Sequence, residues 1–87
     1  MLKVTKFGGS SLADARQFQK VKDIVQADGR RVVVVVSAPG KRFPEDNKIT
    51  DLLYLCHAHL KYGVSYDGIF SMIEDRFLEI QNELGLD

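Results

Sequence analysis

The sequence predicts an α/β fold: an N-terminal βαβ unit followed by two further helices. Three observations carry this prediction. A short β-friendly run stops at a glycine pair, an amphipathic stripe with helical spacing follows, and then come five consecutive valines. A chain of 87 residues makes at most one small domain. Such a chain buries only about 60–65% of the surface it exposes when unfolded, so its core is marginal.

The first strand is predicted over Leu2 to Phe7, and it stops where Gly8-Gly9-Ser10-Ser11 replaces β-formers with flexible and capping residues. Beyond that loop Leu12, Ala15, Phe18, Val21 and Val25 recur at helical spacing, with Gly29 as the stop. Ser10 or Ser11 is the expected N-cap of this helix. Val32 to Val36 run without alternation, the pattern of a central parallel strand covered on both faces, and Ser37-Ala38-Pro39-Gly40 ends it. A right-handed crossover joins the two strands, so both point their C-terminal ends the same way.

Lys41 to Lys48 is polar, contains Pro44 and Asn47, and reads as an exposed loop leaving that edge of the sheet. A second helix is expected from near Ile49, with Leu52, Leu53, Cys56, His59 and Leu60 on one side and Gly63 as its stop. Ser65 or Asp67 caps a third. There Ile69, Ile73, Phe77, Ile80 and Leu84 form the apolar stripe, and Gly85 closes the helix. A five-valine strand needs neighbours and two covering layers, yet these residues supply one clear partner strand. The uncovered helix and strand faces therefore predict self-association or domain swapping, or a chain that is a truncated or proteolysed remnant.

Composition excludes several functions. Twelve basic and twelve acidic residues cancel to a net charge of zero, so no global field draws nucleic acid or an anionic membrane to the surface. No segment approaches the ~18–20 apolar residues of a membrane span, and the N-terminus has no apolar leader run. Cys56 is the only cysteine, which excludes an intrachain disulfide and fits a cytoplasmic location. Cys56, His57 and His59 do not make a metal site, because neighbours one or two apart on a helix point in different directions.

The chemistry concentrates in Lys6-Phe7-Gly8-Gly9-Ser10-Ser11. This loop follows a strand and opens a helix, where free backbone N–H groups and the positive helix end favour an anion. Glycines admit a phosphate without Cβ obstruction, and Lys6 supplies a compact cation. The plain alternative is an ordinary turn. Neither a Walker A loop nor a Gly-x-Gly-x-x-Gly dinucleotide fingerprint is present. Ser37, at a strand's C-terminal end, sits where α/β sheets place ligands, although a serine there also serves turn chemistry. Thr50, read from its place at the start of the second helix, is an N-cap. Lys41, Arg42 and Lys48 form either a solvated face or cations reaching an anionic ligand.

Lys6-Phe7-Gly8-Gly9-Ser10-Ser11-Leu12-Ala13 resembles the N-terminal signature of the aspartate kinases, within the amino acid kinase family. Val33 to Ala38 followed by Ile49-Thr50-Asp51-Leu52-Leu53 resembles that family's second strand and next helix, in the same order. The loop between these blocks, Gly40 to Lys48, is longer than the short link of many members.

The resemblance implies an incomplete form of the carbamate kinase-like three-layer fold of amino acid kinases. Residues 1–87 would form the N-terminal part of the kinase domain, with the rest of that domain and the C-terminal ACT regulatory domains outside it. It implies transfer of a phosphoryl group from ATP, with Mg2+, to L-aspartate, in the lysine, methionine and threonine pathway. ATP would bind at Lys6, Phe7, Gly8, Gly9 and Ser10, with Lys6 as the catalytic cation. L-aspartate would meet Thr50, with Ser37 nearby. A homo-oligomer is expected, and the 87 residues alone are expected to be inactive because the transition-state clamp is half-built. Two alternatives stay open: another amino acid kinase with a different acceptor, and a non-catalytic α/β interaction module.

Overall fold

The structure is a computed structural model and describes residues Met1–Asp87. Strand β1, Lys3–Phe7, leads through a 3-10 turn at Gly9–Leu12 into helix α1, Ala15–Gln26. Strand β2, Arg31–Val36, returns beside β1. Helices α2, Ile49–Lys61, and α3, Asp67–Glu83, complete the chain. No helix is long and apolar enough to cross a membrane.

The predicted βαβ unit forms. β1 and β2 pair in parallel, with Lys6 opposite Val35 and Phe7 opposite Val36, and the only irregularity lies between Lys3 and Val4. Asp28 ties the N-terminal ends of the strands together through Lys3 Nζ at 2.9 Å and Arg30 Nη2 at 2.7 Å. At the opposite end, Ser37 N donates to Phe7 O at 3.2 Å, which extends the pairing into the loops.

Several boundaries differ from expectation for local reasons. Ser10 and Ser11 do not cap α1. Ser11 N donates instead to Gly8 O at 3.1 Å, closing the 3-10 turn, and the helix waits for Asp14, whose side chain accepts from Gln17 N at 2.9 Å. Helix α2 takes Lys48 as its N-cap, without a side-chain cap bond, so Thr50 lies inside the first turn and is not a cap. Tyr66 takes the N-cap position of α3, and Ser65 Oγ only accepts weakly from Asp67 N at 3.4 Å.

Two of the three predicted stops hold, whereas α1 ends before Gly29, at Gln26, with Ala27 as its C-cap donating its N–H to Asp23 O. Gly63 and Gly85 adopt φ of 69° and 70°. Val64 N reaches back to His59 O at 2.8 Å and Leu86 N to Gln81 O at 3.0 Å, closing both helices in the left-handed manner that glycine allows.

The valine strand is not covered here: Val32 to Val36 are 40–58% exposed. Only 11 of 87 residues are buried, and the radius of gyration of 15.4 Å exceeds the roughly 12 Å of a compact domain this size. What core exists lies at the C-terminal ends of the strands. Ile49, Leu52 and Ile73 form its centre, with Ala38, Cys56 and Ile69 against it. Phe7, Leu12, Ala13, Ala15 and Ile80 are also buried. On α2 the packed side is Leu52, Cys56 and His59, while Leu53 and Leu60 face outward. On α3, Phe77 leaves the predicted stripe at 46% exposed, and Arg76 takes the inward place between Ile73 and Ile80.

Two loops cross in close contact at a pair of glycines. Gly40 N donates to Gly9 O at 2.8 Å, and a Cβ on Gly40 would stand 2.7 Å from Gly9 C and 2.9 Å from Gly9 O. Around Gly8 a Cβ would meet nothing within 4 Å. Gly40→Ala is therefore expected to destabilise the chain by about 1–3 kcal/mol in urea unfolding. Gly8→Ala should stay within about 0.5 kcal/mol of wild type. Equal effects of the two substitutions would contradict this account of the crossing.

Candidate functional site

Strand alternation sends Phe7 inward, into the core, and leaves Lys6 exposed. The Lys6 ammonium has no hydrogen-bond or ion-pair partner within the chain. Past Phe7 the backbone turns at Gly8, and the glycine crossing then presses Gly9 and Ser10 against the loop that leaves β2. Glycine at position 9 thus has a packing reason: its Cβ would come within 3.0 Å of Ala38 O.

The crossing encloses one side of a cavity of about 480 Å³, within the range of small-ligand sites. Gly9 and Ser10 contribute one wall. Ser37, Ala38, Pro39 and Gly40 contribute the second, and Lys41, Lys48 and Thr50 close the third. Of the predicted site residues, the structure brings Gly9, Ser10, Ser37 and Thr50 together. Lys6, Phe7 and Gly8 do not line the cavity; they form the strand end and turn leading to it.

The start of α2 is held against this cavity by Ile49 N, which donates to Pro39 O at 3.0 Å. That bond satisfies one of the helix's open N–H groups with loop backbone, so the Thr50 hydroxyl is not consumed in capping. Thr50 is exposed and lines the cavity. The first turn of α2 adds its positive dipole end.

Charge at the cavity has one sign. Lys41 and Lys48 are its only ionisable lining residues, and no carboxylate lines it. Lys41 Nζ makes one long contact, 3.4 Å, to Pro44 O, and Lys48 Nζ has no partner in the chain. Hydroxyls of Ser10, Ser37 and Thr50 stand among these cations. Such a donor-rich wall suits an anion with several oxygens. It is poorly suited to hold a metal ion itself, and nowhere do three or more His, Cys, Asp or Glu side chains gather.

The third cation of the loop behaves differently. Arg42 turns away and engages Asp46 through Nε at 2.6 Å and Glu79 through Nη1 at 3.1 Å. Arg42 also donates its backbone N–H to Asp46 at 3.0 Å. The run Lys41 to Lys48 thereby divides into two ammonium groups at the cavity and one guanidinium folding the loop.

Beneath the loop lies a residue that sequence reasoning missed. Arg76 is 5% exposed, and its guanidinium donates to three backbone carbonyls: Ala13 O at 2.9 Å, Gly40 O at 2.7 Å and Asn47 O at 3.0 Å. Asp46 Oδ2 stands 3.5 Å away. Burial lowers the guanidinium's pKa from its ordinary value, with Arg42 adding to the effect and Asp46 opposing it. The signal in the sequence was its place, three residues after Ile73 and four before Ile80, on the inward face of α3.

The chain is similar over nearly its whole length to known proteins. A sequence profile described as the amino acid kinase family matches residues 1–82. Aspartokinase 3 of Bacillus subtilis (strain 168) is 47% identical over 85 residues, covering 98% of this chain and 19% of that protein. A bifunctional aspartokinase/homoserine dehydrogenase of Buchnera aphidicola subsp. Acyrthosiphon pisum (strain APS) is 32% identical over 83 residues, covering 93% of this chain and 10% of that protein. The crystal structure of Clostridium acetobutylicum aspartate kinase matches with a TM-score of 0.93 at 57% identity. It covers 97% of this chain, which spans 19% of that one.

The Asp46 carboxyl, whose side chain is 7% exposed, is held well below the usual carboxylate range by hydrogen bonds from Arg42, against the opposing effect of burial. Its folded pKa lies below the unfolded value of about 3.9. The stability it contributes is thus fully present above that value and is lost as pH falls below it. Wild type should lose urea stability more steeply than Asp46→Asn on descending from about pH 4 toward pH 2. Parallel slopes for the two proteins would contradict the assignment.

Proposed function

Because the chain belongs to the amino acid kinase family, we propose that it forms the N-terminal part of an aspartate kinase domain. In this reading the domain moves the γ-phosphoryl group of ATP onto the side-chain carboxylate of L-aspartate, giving an acyl phosphate and ADP. The observation that carries the reading is the cavity where Gly9, Ser10, Ser37 and Thr50 meet two lysines and no carboxylate. Both reactants are anionic, and such a wall binds anions.

Each residue has a role. Gly8, Gly9 and Ser10 present backbone and hydroxyl donors to the ATP phosphates, and Phe7 fixes the strand end from the core side. Lys6, partnerless and exposed, extends its ammonium toward the transferring phosphoryl group as the catalytic cation. Thr50 and Ser37 hydrogen-bond L-aspartate. Lys41 and Lys48 add the positive field that lets two anions approach each other. Magnesium arriving with the nucleotide would neutralise phosphate charge through the phosphate oxygens.

The remaining parts of the reading follow from the uncovered sheet. Val32 to Val36 present apolar surface on a strand that an amino acid kinase domain would cover. Further kinase-domain layers and a homo-oligomer are the proposed covering, and the cytoplasm is the proposed compartment for a reaction between soluble anions.

The 87-residue chain, titrated with ATP in 15N NMR, is expected to shift the Gly8, Gly9 and Ser10 amides. Lys6→Ala should weaken binding about tenfold. A coupled assay of ADP release should show no turnover with L-aspartate, and light scattering on the same sample should show more than a monomer. Shifts confined to α3, or none, would contradict the phosphate-site reading.

A further inference from the structure

Arg76 stands outside the cavity it influences. Its guanidinium faces a smaller charged recess, about 190 Å³, on the far side of the loop, beside Arg42, Asp46 and Glu79. All three of its hydrogen bonds to backbone end on loop carbonyls. Their positions are specific. Ala13 immediately precedes Asp14, the N-cap of α1, and Asn47 immediately precedes Lys48, the N-cap of α2. Gly40 is the residue that crosses Gly9. One planar fork therefore fixes the approach of the chain to two helices and the loop crossing between them.

We propose that Arg76 is the positioning residue of the anion cavity: without touching the ligand, it holds the three walls at the separation that lets one anion meet all of them. The inference rests on the anion-site reading given above. Nη2 bridges Ala13 O and Gly40 O, joining the turn after β1 to the loop after β2. Nη1 reaches Asn47 O, adding the start of α2. An ammonium is a point donor on a flexible stem and does not reproduce a rigid fork spanning three carbonyls. An apolar side chain would leave all three oxygens without these donors. Asp46, 3.5 Å away, compensates the buried charge and comes from the same loop as Lys41 and Lys48, so the counter-ion and the cavity cations move together.

The test compares wild type, Arg76→Met and Arg76→Lys in the 87-residue chain by amide hydrogen exchange and ATP titration. The reporters are the amides of Gly40 and Ile49, which donate to Gly9 O and Pro39 O across the loops. Arg76→Met should speed their exchange by about tenfold or more, while amides in the middle of α2 stay as in wild type. ATP affinity should fall about tenfold, and Arg76→Lys should recover part of both effects. Unchanged exchange at Gly40 and Ile49, or a uniform rise along the chain with ATP affinity intact, would overturn the proposal. If Arg76→Met does not fold, Arg76→Lys decides: wild-type exchange and affinity there would overturn it. Wild type that fails to bind ATP contradicts the anion-site reading, whereas the exchange comparison still decides whether Arg76 positions the loops.

Discussion

A single buried guanidinium donating to Ala13 O, Gly40 O and Asn47 O is the contact on which the arrangement of this chain depends. Loop carbonyls in a protein interior need partners, and those of buried Ala13 and Gly40 find one in Arg76, which also reaches the more exposed Asn47 O. Hydrogen bonds from a charged donor contribute roughly 1.5–3 kcal/mol each, and placing the charge there carries its own desolvation penalty. Asp46 and the carbonyl dipoles offset part of that penalty. The arrangement is therefore sensitive to removal of either partner, and it specifies one loop geometry where an apolar contact would permit several.

This explains why the buried residues lie where they do. A βαβ unit usually centres its core on the sheet, but here both strands are open to solvent and the apolar cluster gathers around the loops. Ile49, Leu52 and Ile73 pack beneath the same segment that Arg76 binds from α3. The close contact of Gly9 with Gly40 brings the two strand-to-helix connections together above it. Helix dipole, hydroxyls and two unpaired ammonium groups then share one opening. The loops that Arg76 ties together are the ones that border the proposed anion cavity, and the valine strand left bare is the surface that the proposed kinase-domain layers would cover.

Much of this was legible in the residues. The valine run and the stripe from Leu12 to Val25 announced parallel strands around a helix, because period and β-branching are local properties. Gly63 and Gly85 announced helix ends because only a left-handed backbone closes them in this way. The resemblance of the Lys6 to Ala13 segment pointed to the family that the sequence profile also matches. Cap positions were less legible. Ser11 N is taken up by Gly8 O in a 3-10 turn, which leaves the cap of α1 to Asp14, and Ile49 N donates to Pro39 O across the loops, which sets Lys48 and not Thr50 at the cap of α2. The division of Lys41, Arg42 and Lys48 between cavity and loop depends on Asp46 and Glu79 in the same way. Arg76 was hidden in a stripe whose neighbours are isoleucines, and its partners are backbone oxygens up to 63 residues away, which no spacing rule reaches.

The most direct measurement of this account is the 15N–1H NMR signal of the Arg76 guanidinium itself. Three carbonyl partners predict restricted rotation about its Nε–Cζ and Cζ–Nη bonds, with separate Hη resonances that exchange slowly with water. Exposed Arg16 in the same spectrum supplies the freely rotating reference. A single averaged and rapidly exchanging Arg76 signal, indistinguishable from that of Arg16, would contradict the account.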